Sequence, residues 1–404
     1  MSKMRPLRAL ISLQEAKEMI LKAVEPIQRT EIVPIDALLG RVAAENLHAT
    51  IDVPSFDKAA MDGYAVIAED TFGAGTHNPI TLKPIDVIHA GEVAGKTIQN
   101  GQCAQIATGA MIPNGADAVI MVEDTETTGD LVQIFKPIYP GGNIFPKGSD
   151  VKAGDLIIKK GDLLTARKAG IIAAVGIDRA TVYAQPKIAV IPTGYEIAEL
   201  GADLQPGQVY DINSYTMANL IRENGGIPIR YPVIGDSMDD LRKVVAKAQH
   251  YDAIVLSGGS SVGEKDILID VIEEAGEIYF HGVQIKPGKP TLFGQINGKL
   301  IFGMPGYPTS CMINAYVFIV PAIRKMARLP QQPPMVVKAK MAKRVVSSLG
   351  RHQFYTVKIE EGIAYPAFKE SGTITSMSHA DGYIEIPYNV EFVEKGEEVE
   401  VILF

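Results

Sequence analysis

Cysteine is nearly missing from this 404-residue chain: Cys103 and Cys311 are the two present, and neither belongs to a CxxC pair. So few exclude a disulfide framework, and the expected setting is a reducing, cytoplasmic one. Histidine is also sparse, with seven residues and none at metal-ligand spacing, which argues against a structural zinc site. Long apolar runs are lacking. The opening MSKMRPLRALISLQEAKEMI has no apolar core of the signal-peptide kind, and nothing approaches the roughly 20 uninterrupted apolar residues of a membrane span. The longest candidate, residues 311–323, carries Asn314 and Pro321 and reads as a buried helix. Positive charge is not in excess. With 39 Lys and Arg against 47 Asp and Glu, the net charge of −8 gives no global reason to bind nucleic acid, so any anion chemistry must be local. There is no P-loop, no GxGxxG fingerprint and no internal repeat.

What is present is an ordinary globular composition, 47% hydrophobic and 21% charged, in a chain long enough for roughly two to four domains. Ser12 with Glu15 forms a capping box, after which Leu13, Ala16, Ile20 and Val24 recur at helical spacing until Pro26. A short helix is expected around Asp36 to Leu39. From about residue 50 to 165 the chain turns to short β-rich pieces separated by Gly, Pro and Asn. A helix over 165–177 follows, and then strands and helices alternate for about 150 residues, as in a parallel sheet covered by helices on both faces. A linker is expected at 331–334, and the alternating tail predicts a small β-barrel or sandwich. The expected division is 1–50 with 141–178, 51–140, 179–330 and 331–404.

In an open α/β sheet, ligands bind at the carboxyl ends of the strands, and three such ends carry chemistry. The first runs into Thr193, Gly194 and Glu196. The second opens into Ser257, Gly258, Gly259, Ser260, Ser261 and Gly263, with Asp266 at the start of a helix. These unshielded amides and hydroxyls suit an anion cradle, although a tight strand-to-helix turn reads the same way. The third is GMPGYPTS, where Pro305 and Pro308 stiffen the loop around Gly306 and Thr309 or Ser310 is placed to cap the next helix. Just before it, IKPGKP brings Lys286 and Lys289 together; a phosphate or oxyanion site and a solvated turn both fit. Acids gather at Asp62, Glu123, Asp150 and Asp236, the last also a candidate N-cap. Carboxylates near a phosphate cradle are what Mg²⁺ needs.

One stretch resists a bland reading. VPSFDKAAMDGYAV, residues 53–66, breaks an apolar strand with an acid-glycine pair. AMDGYAV, ATGAMIPNGADAVIMVEDT, SGGSSVGEKD, IKPGKP and MPGYPTSC, in this order, resemble the molybdopterin molybdenumtransferase family, to which the gephyrin E domain also belongs. The resemblance covers nearly the whole chain, with GRHQFYTVKI and ESGTITSMSHADGYIEIP also fitting. It implies an elongated multidomain α/β-plus-β chain with β-rich N-terminal domains, a central molybdopterin-binding domain and a C-terminal β-barrel. It further implies a homodimer whose active site is shared between subunits.

The implied activity is the last step of molybdenum cofactor synthesis: adenylylated molybdopterin is cleaved with Mg²⁺ and molybdate, and AMP leaves. An upstream pterin adenylyltransferase is the implied partner, with no role for nucleic acid or membrane. By the same resemblance, Asp62, Thr108, Glu196, Asp236 and Asp266 are the catalytic set, with Asp62, Glu196 and Asp266 as metal ligands. The strand-end loops, Lys286, Lys289, Pro305, Gly306, Pro308, Asp150, Arg351 and Ser371 are expected on substrate. Gly63 is expected to permit a tight turn and Tyr64 to anchor it. Three positions depart from the family: Tyr307 where Asn is common, Tyr195 where Asp is common, and Lys58-Ala59 in place of a polar pair. They bear on substrate detail, including molybdate against tungstate. A non-catalytic scaffold of gephyrin type and a pterin adenylyltransferase are the competing readings.

Overall fold

A computed structural model describes residues 10–235, 237–258, 267–331, 333–370 and 372–404. The chain divides into two compact units, one made of Ile32–Leu39 and Ala43–Thr181, the other of the chain up to Glu31, Gly40–Val42 and Val182–Phe404. No helix among the described residues is long and apolar enough to cross a membrane.

The smaller unit is built on a six-stranded sheet in the order Ala118–Met121, Gly63–Val66, Gln102–Ile106, Ile80–Ile88, Leu131–Ile134, Thr125–Thr128. Alternate residues serve opposite faces, as the two-residue period of a strand requires. Tyr64 and Val66 join Leu82, Cys103, Ile120 and Ile134 in one core, while Ala65 joins Ile88, Ala104, Ile106 and Val119 in another. Pro84 sits inside the Ile80–Ile88 strand because a bulge falls between Pro84 and Asp86, where the ladder loses no N–H it needed. The expected helix near 165–177 runs Ala166–Ala174, with the Thr165 hydroxyl accepting from Lys168 N. The short helix near residue 36 is a single 3₁₀ turn, Ile35–Ala37.

In the larger unit the central sheet runs Ile227–Arg230, Lys187–Pro192, Ala253–Ser257, Lys299–Met304, Leu292–Ile296, Gly276–His281. The first four strands are parallel. The last two return antiparallel to their neighbours, so the sheet is mixed rather than wholly parallel. The pair is joined to the rest by a two-residue reversal at Asn297 and Gly298, both at positive φ, too short for the crossover that a parallel strand needs. Both faces are covered. Ile188, Val190, Val255 and Phe302 pack under Leu13–Ala23, Asn213–Glu223 and the helical run after residue 308, while Ala189, Ile191, Ile254, Leu256 and Ile301 pack under Met238–Ala248 and Ile267–Ala275. The capping box at Ser12 and Glu15 is formed in both directions.

The helical run after residue 308 is continuous but not uniform. Pro308–Asn314 and Val320–Met326 are α-helical, and Ala315–Ile319 between them is a π segment. Pro321 explains it, since a proline inside a helix removes one donor and crowds the preceding turn. The tail closes into a five-stranded barrel. Val336–Met341 pairs with Ile363–Pro366 and Glu398–Leu403, His352–Glu360 pairs with Ile363–Pro366 and Gly382–Ile386, and Gly382–Ile386 meets Glu398–Leu403. Closure leaves no free edge, which decides between the two β forms left open by the pattern of the tail.

Candidate functional site

The carboxyl ends of the parallel strands, the IKPGKP loop and the rim of the barrel enclose a cavity of about 780 Å³. Its lining includes Thr193, Glu196, Ser257, Gly258, Lys286, Lys289, Pro305, Gly306, Pro308 and Arg351. These are ten of the residues named from sequence, drawn from three strand ends and two loops, and the fold brings them to one place. Asp236, Gly259, Ser260, Ser261, Gly263, Asp266 and Ser371 lie outside the described residues. Gly372, next to Ser371, lines the cavity.

Backbone pairing aligns the strand ends. Thr193 N donates to Ser257 O at 3.0 Å and Gly258 N to Met304 O at 3.3 Å, so each ladder continues one residue into its loop. Gly258 has φ +99, and a side-chain Cβ there would come within 2.3 Å of Thr193 O, which leaves only glycine at that step. Glu196 is exposed at the cavity; its backbone O accepts from Val209 N at 2.8 Å, while its carboxylate folds over Gly194 and has no hydrogen-bond partner among the described residues.

The lysine loop is held from behind. Asn314 Nδ2 donates to Gly288 O at 3.0 Å and to Thr291 Oγ1 at 2.5 Å, and Val283 N donates to Lys289 O. Ile285 and Lys286 pair in parallel with His352 and Gln353, which joins the lysine loop to the barrel strand that follows Arg351, and both Lys286 and Arg351 line the cavity. Lys286 Nζ donates to Ser348 Oγ at 2.7 Å. Three cations thus converge on a cavity in an acidic protein, and they can neutralise a phosphate or oxyanion.

Two expectations about caps fail. Helix Met238–Ala248 is capped by Ser237, whose hydroxyl accepts from Asp240 N, one residue after the expected Asp236. Tyr307, not Thr309 or Ser310, is the N-cap position of the helix at 308, with no side-chain cap. Thr309 is turned inward, its hydroxyl donating to Thr373 O at 2.8 Å, and Ser310 is buried and lines the cavity.

The smaller unit holds Asp62, Thr108 and Asp150, all exposed. Thr108 N donates to Asp62 Oδ1 at 2.7 Å, and this bond, with the Thr108 hydroxyl, holds the Asp62 carboxyl below the usual carboxylate range. Asp62 is therefore ionised at neutral pH and fixed in direction. Gly63 does not make a turn. It is a strand residue, and a Cβ on it would lie 1.8 Å from Ile120 O, so glycine is required because the neighbouring strand passes too close. Tyr64 is 8% exposed and packed in the core, as expected of an anchor. Asp150 N donates to Val53 O at 3.0 Å; its side chain stands free at the surface.

Sequence reasoning missed Asp211, Asn213 and Asn314. Asp211 is buried against the cavity, with Oδ1 accepting from Ser214 N at 3.0 Å and its other oxygen taking the Ser214 hydroxyl. Asn213 Nδ2 donates to Gly306 O at 2.8 Å. The signal was there in YDINS, two polar residues just before an amphipathic helix, but capping accounts for such a pattern equally well. Both cysteines are buried, and burial pushes each thiol up to about 12, so neither serves as a nucleophile. Among the described residues no cluster of three or more His, Cys, Asp or Glu could hold a metal by itself.

Comparison with known proteins agrees with this layout. Residues 11–176 match the MoeA N-terminal region (domain I and II), 189–325 a probable molybdopterin binding domain, and 338–404 the MoeA C-terminal region (domain IV). A protein of Methanocaldococcus jannaschii named for molybdopterin biosynthesis is 36% identical, over 99% of this chain and 100% of its own. A molybdopterin molybdenumtransferase of Staphylococcus epidermidis is 32% identical, over 98% of this chain and 96% of its own. The crystal structure of a molybdopterin biosynthesis MoeA protein from Pyrococcus horikoshii superposes with a TM-score of 0.84 at 43% identity, covering 98% of this chain and 99% of that one.

Proposed function

We propose that this chain, which belongs to the MoeA family and to its enzyme class, the molybdopterin molybdenumtransferases, performs the last step of molybdenum cofactor synthesis. It takes adenylylated molybdopterin, cleaves the phosphoanhydride with release of AMP, and leaves molybdenum from molybdate on the two dithiolene sulfurs. The observation that carries this reading is the convergence of Lys286, Lys289 and Arg351 with the unpaired carboxylate of Glu196 in one cavity.

The residues divide the work. Lys286, Lys289 and Arg351 receive the phosphates or the tetrahedral oxyanion and stabilise charge that develops on the departing phosphate. Lys286 is kept in place for this by Ser348. The Glu196 carboxylate, exposed and without a partner among the described residues, fits Mg²⁺, an ion commonly held by one or two protein carboxylates together with substrate phosphate oxygens. When bound, Mg²⁺ supplies further neutralisation of phosphate charge. Of the three metal ligands expected from sequence, Glu196 lines this cavity, Asp62 belongs to the smaller unit, and Asp266 lies outside the described residues. Asp62, already ionised through Thr108, completes the site from a second subunit of a homodimer. The enzyme acts in the cytoplasm on substrate passed from a pterin adenylyltransferase.

The test is AMP release from purified adenylylated molybdopterin with Mg²⁺ and molybdate, tungstate or neither, followed by metal analysis of the pterin. Oxyanion-dependent release with metal retained is expected, and the faster oxyanion identifies the physiological metal. Tight binding without release would assign a scaffold role instead, and release of pyrophosphate from ATP with free molybdopterin would assign an adenylyltransferase.

A further inference from the structure

We propose that Thr193 and Asn213 form a reading pair that receives the nitrogen-bearing edge of the pterin ring; this rests on the function proposed above and goes beyond it by separating the pterin end of the cavity from its phosphate end. Both residues line the cavity and both are more than nine-tenths buried, Thr193 at 6% exposure and Asn213 at 9%. Among the described residues, Thr193 Oγ1 and Asn213 Oδ1 have no hydrogen-bond partner. Buried polar atoms are nearly always paired, and leaving one unpaired costs stability, so two in residues that line one cavity call for a partner that arrives with a ligand.

The chemistry of that partner follows from which atoms are left over. Asn213 Nδ2 donates to Gly306 O at 2.8 Å. Flipping the amide would set two carbonyl oxygens against each other, so Oδ1 is the buried atom left over, and it can only accept. Its ligand must donate an N–H or O–H. Phosphate and molybdate carry only acceptors when ionised, so Asn213 rejects them where Lys286, Lys289 and Arg351 attract them. Thr193 can donate or accept. An acceptor and a hydroxyl lining one cavity suit a planar ligand that carries both donor and acceptor atoms, as an aminopyrimidinone does. Gly258 keeps the place open: a Cβ there would sit 3.0 Å from Thr193 Oγ1.

The decisive variant is Thr193→Val. It exchanges a hydroxyl without a partner for a methyl of similar size, so no group in the protein loses a hydrogen bond. Expected are a thermal midpoint equal to or above wild type, affinity for adenylylated molybdopterin lowered about tenfold, and unchanged affinity for molybdate. Asn213→Ala is expected to lower pterin affinity by a similar or larger factor, again sparing molybdate. Wild type that binds the pterin while both variants bind it equally well would overturn the pair alone, and a molybdate affinity that falls with the pterin affinity would overturn the separation of the two ends. Wild type that binds molybdate but no pterin would overturn both the pair and the function on which it rests.

Discussion

Asp62 and Glu196 are both exposed acids at strand ends, and the two units hold them by opposite means. Asp62 precedes a strand pressed so closely to its neighbour that position 63 has no room for a Cβ, and its carboxylate is received by the Thr108 amide. Glu196 follows a strand, and its carboxylate curls over a glycine at φ +142 and takes no hydrogen bond from the described residues. The first is a charge fixed in place before any ligand arrives. The second is a charge left open for one. In the proposed reaction the two kinds would serve different ends, because a fixed acid costs nothing to position during reaction and an open one can be neutralised by a bound cation.

The comparison can be broken most sharply at its fixed member. Asp62→Ala is expected to lower AMP release by a factor on the order of 10² or more while leaving the thermal midpoint near wild type, since the side chain is exposed. An active variant would remove Asp62 from the proposed site. If Asp62 serves a partner's cavity, exchanging Asp62→Ala subunits with Lys289→Ala subunits should restore about a quarter to a half of activity; no recovery with exchange verified would place the whole site within one subunit.

Gly63→Ala tests why Asp62 is fixed. Forcing a methyl against Ile120 O should part the two strands and cost about 3 kcal/mol or more, seen as a lowered denaturant midpoint. A turn role would predict a far smaller loss, because alanine tolerates many turn positions. Gly194→Ala tests the open member and should cost less, roughly 1–3 kcal/mol for the strained φ, with the Glu196 carboxylate displaced and AMP release reduced more at low Mg²⁺ than at high. An effect independent of Mg²⁺ would argue against Glu196 as its carboxylate.

Much of the fold was legible because it is written in short-range periodicity. Leu13, Ala16, Ile20 and Val24 repeat at helical spacing behind a complete capping box, and the helix forms there. Ile188, Val190 and their neighbours Ala189 and Ile191 form an unbroken apolar run, and the strand is buried on both faces. The mixed character of the sheet was not legible, since alternation shows that a strand exists but not the direction in which it enters. At the site, glycine-rich and proline-stiffened loops after strands marked the cavity wall. Asp211 and Asn213 were passed over because polar residues before a helix are ordinarily caps.

The sequence alone determined which segments become strands and helices, that their loops carry lysines, acids and small residues, and that Cys103 and Cys311 form no disulfide framework. Those properties depend on residues a few positions apart. Only the tertiary structure decided that Gly63 answers to Ile120, that Asn314 braces the lysine loop through Gly288, and that Asn213 is pinned by Gly306 with one atom left over. Each of these depends on what stands opposite, 26 or more residues away in the chain where the separation is shortest. No local pattern encodes that partner, because it is selected by packing two faces of a sheet at once.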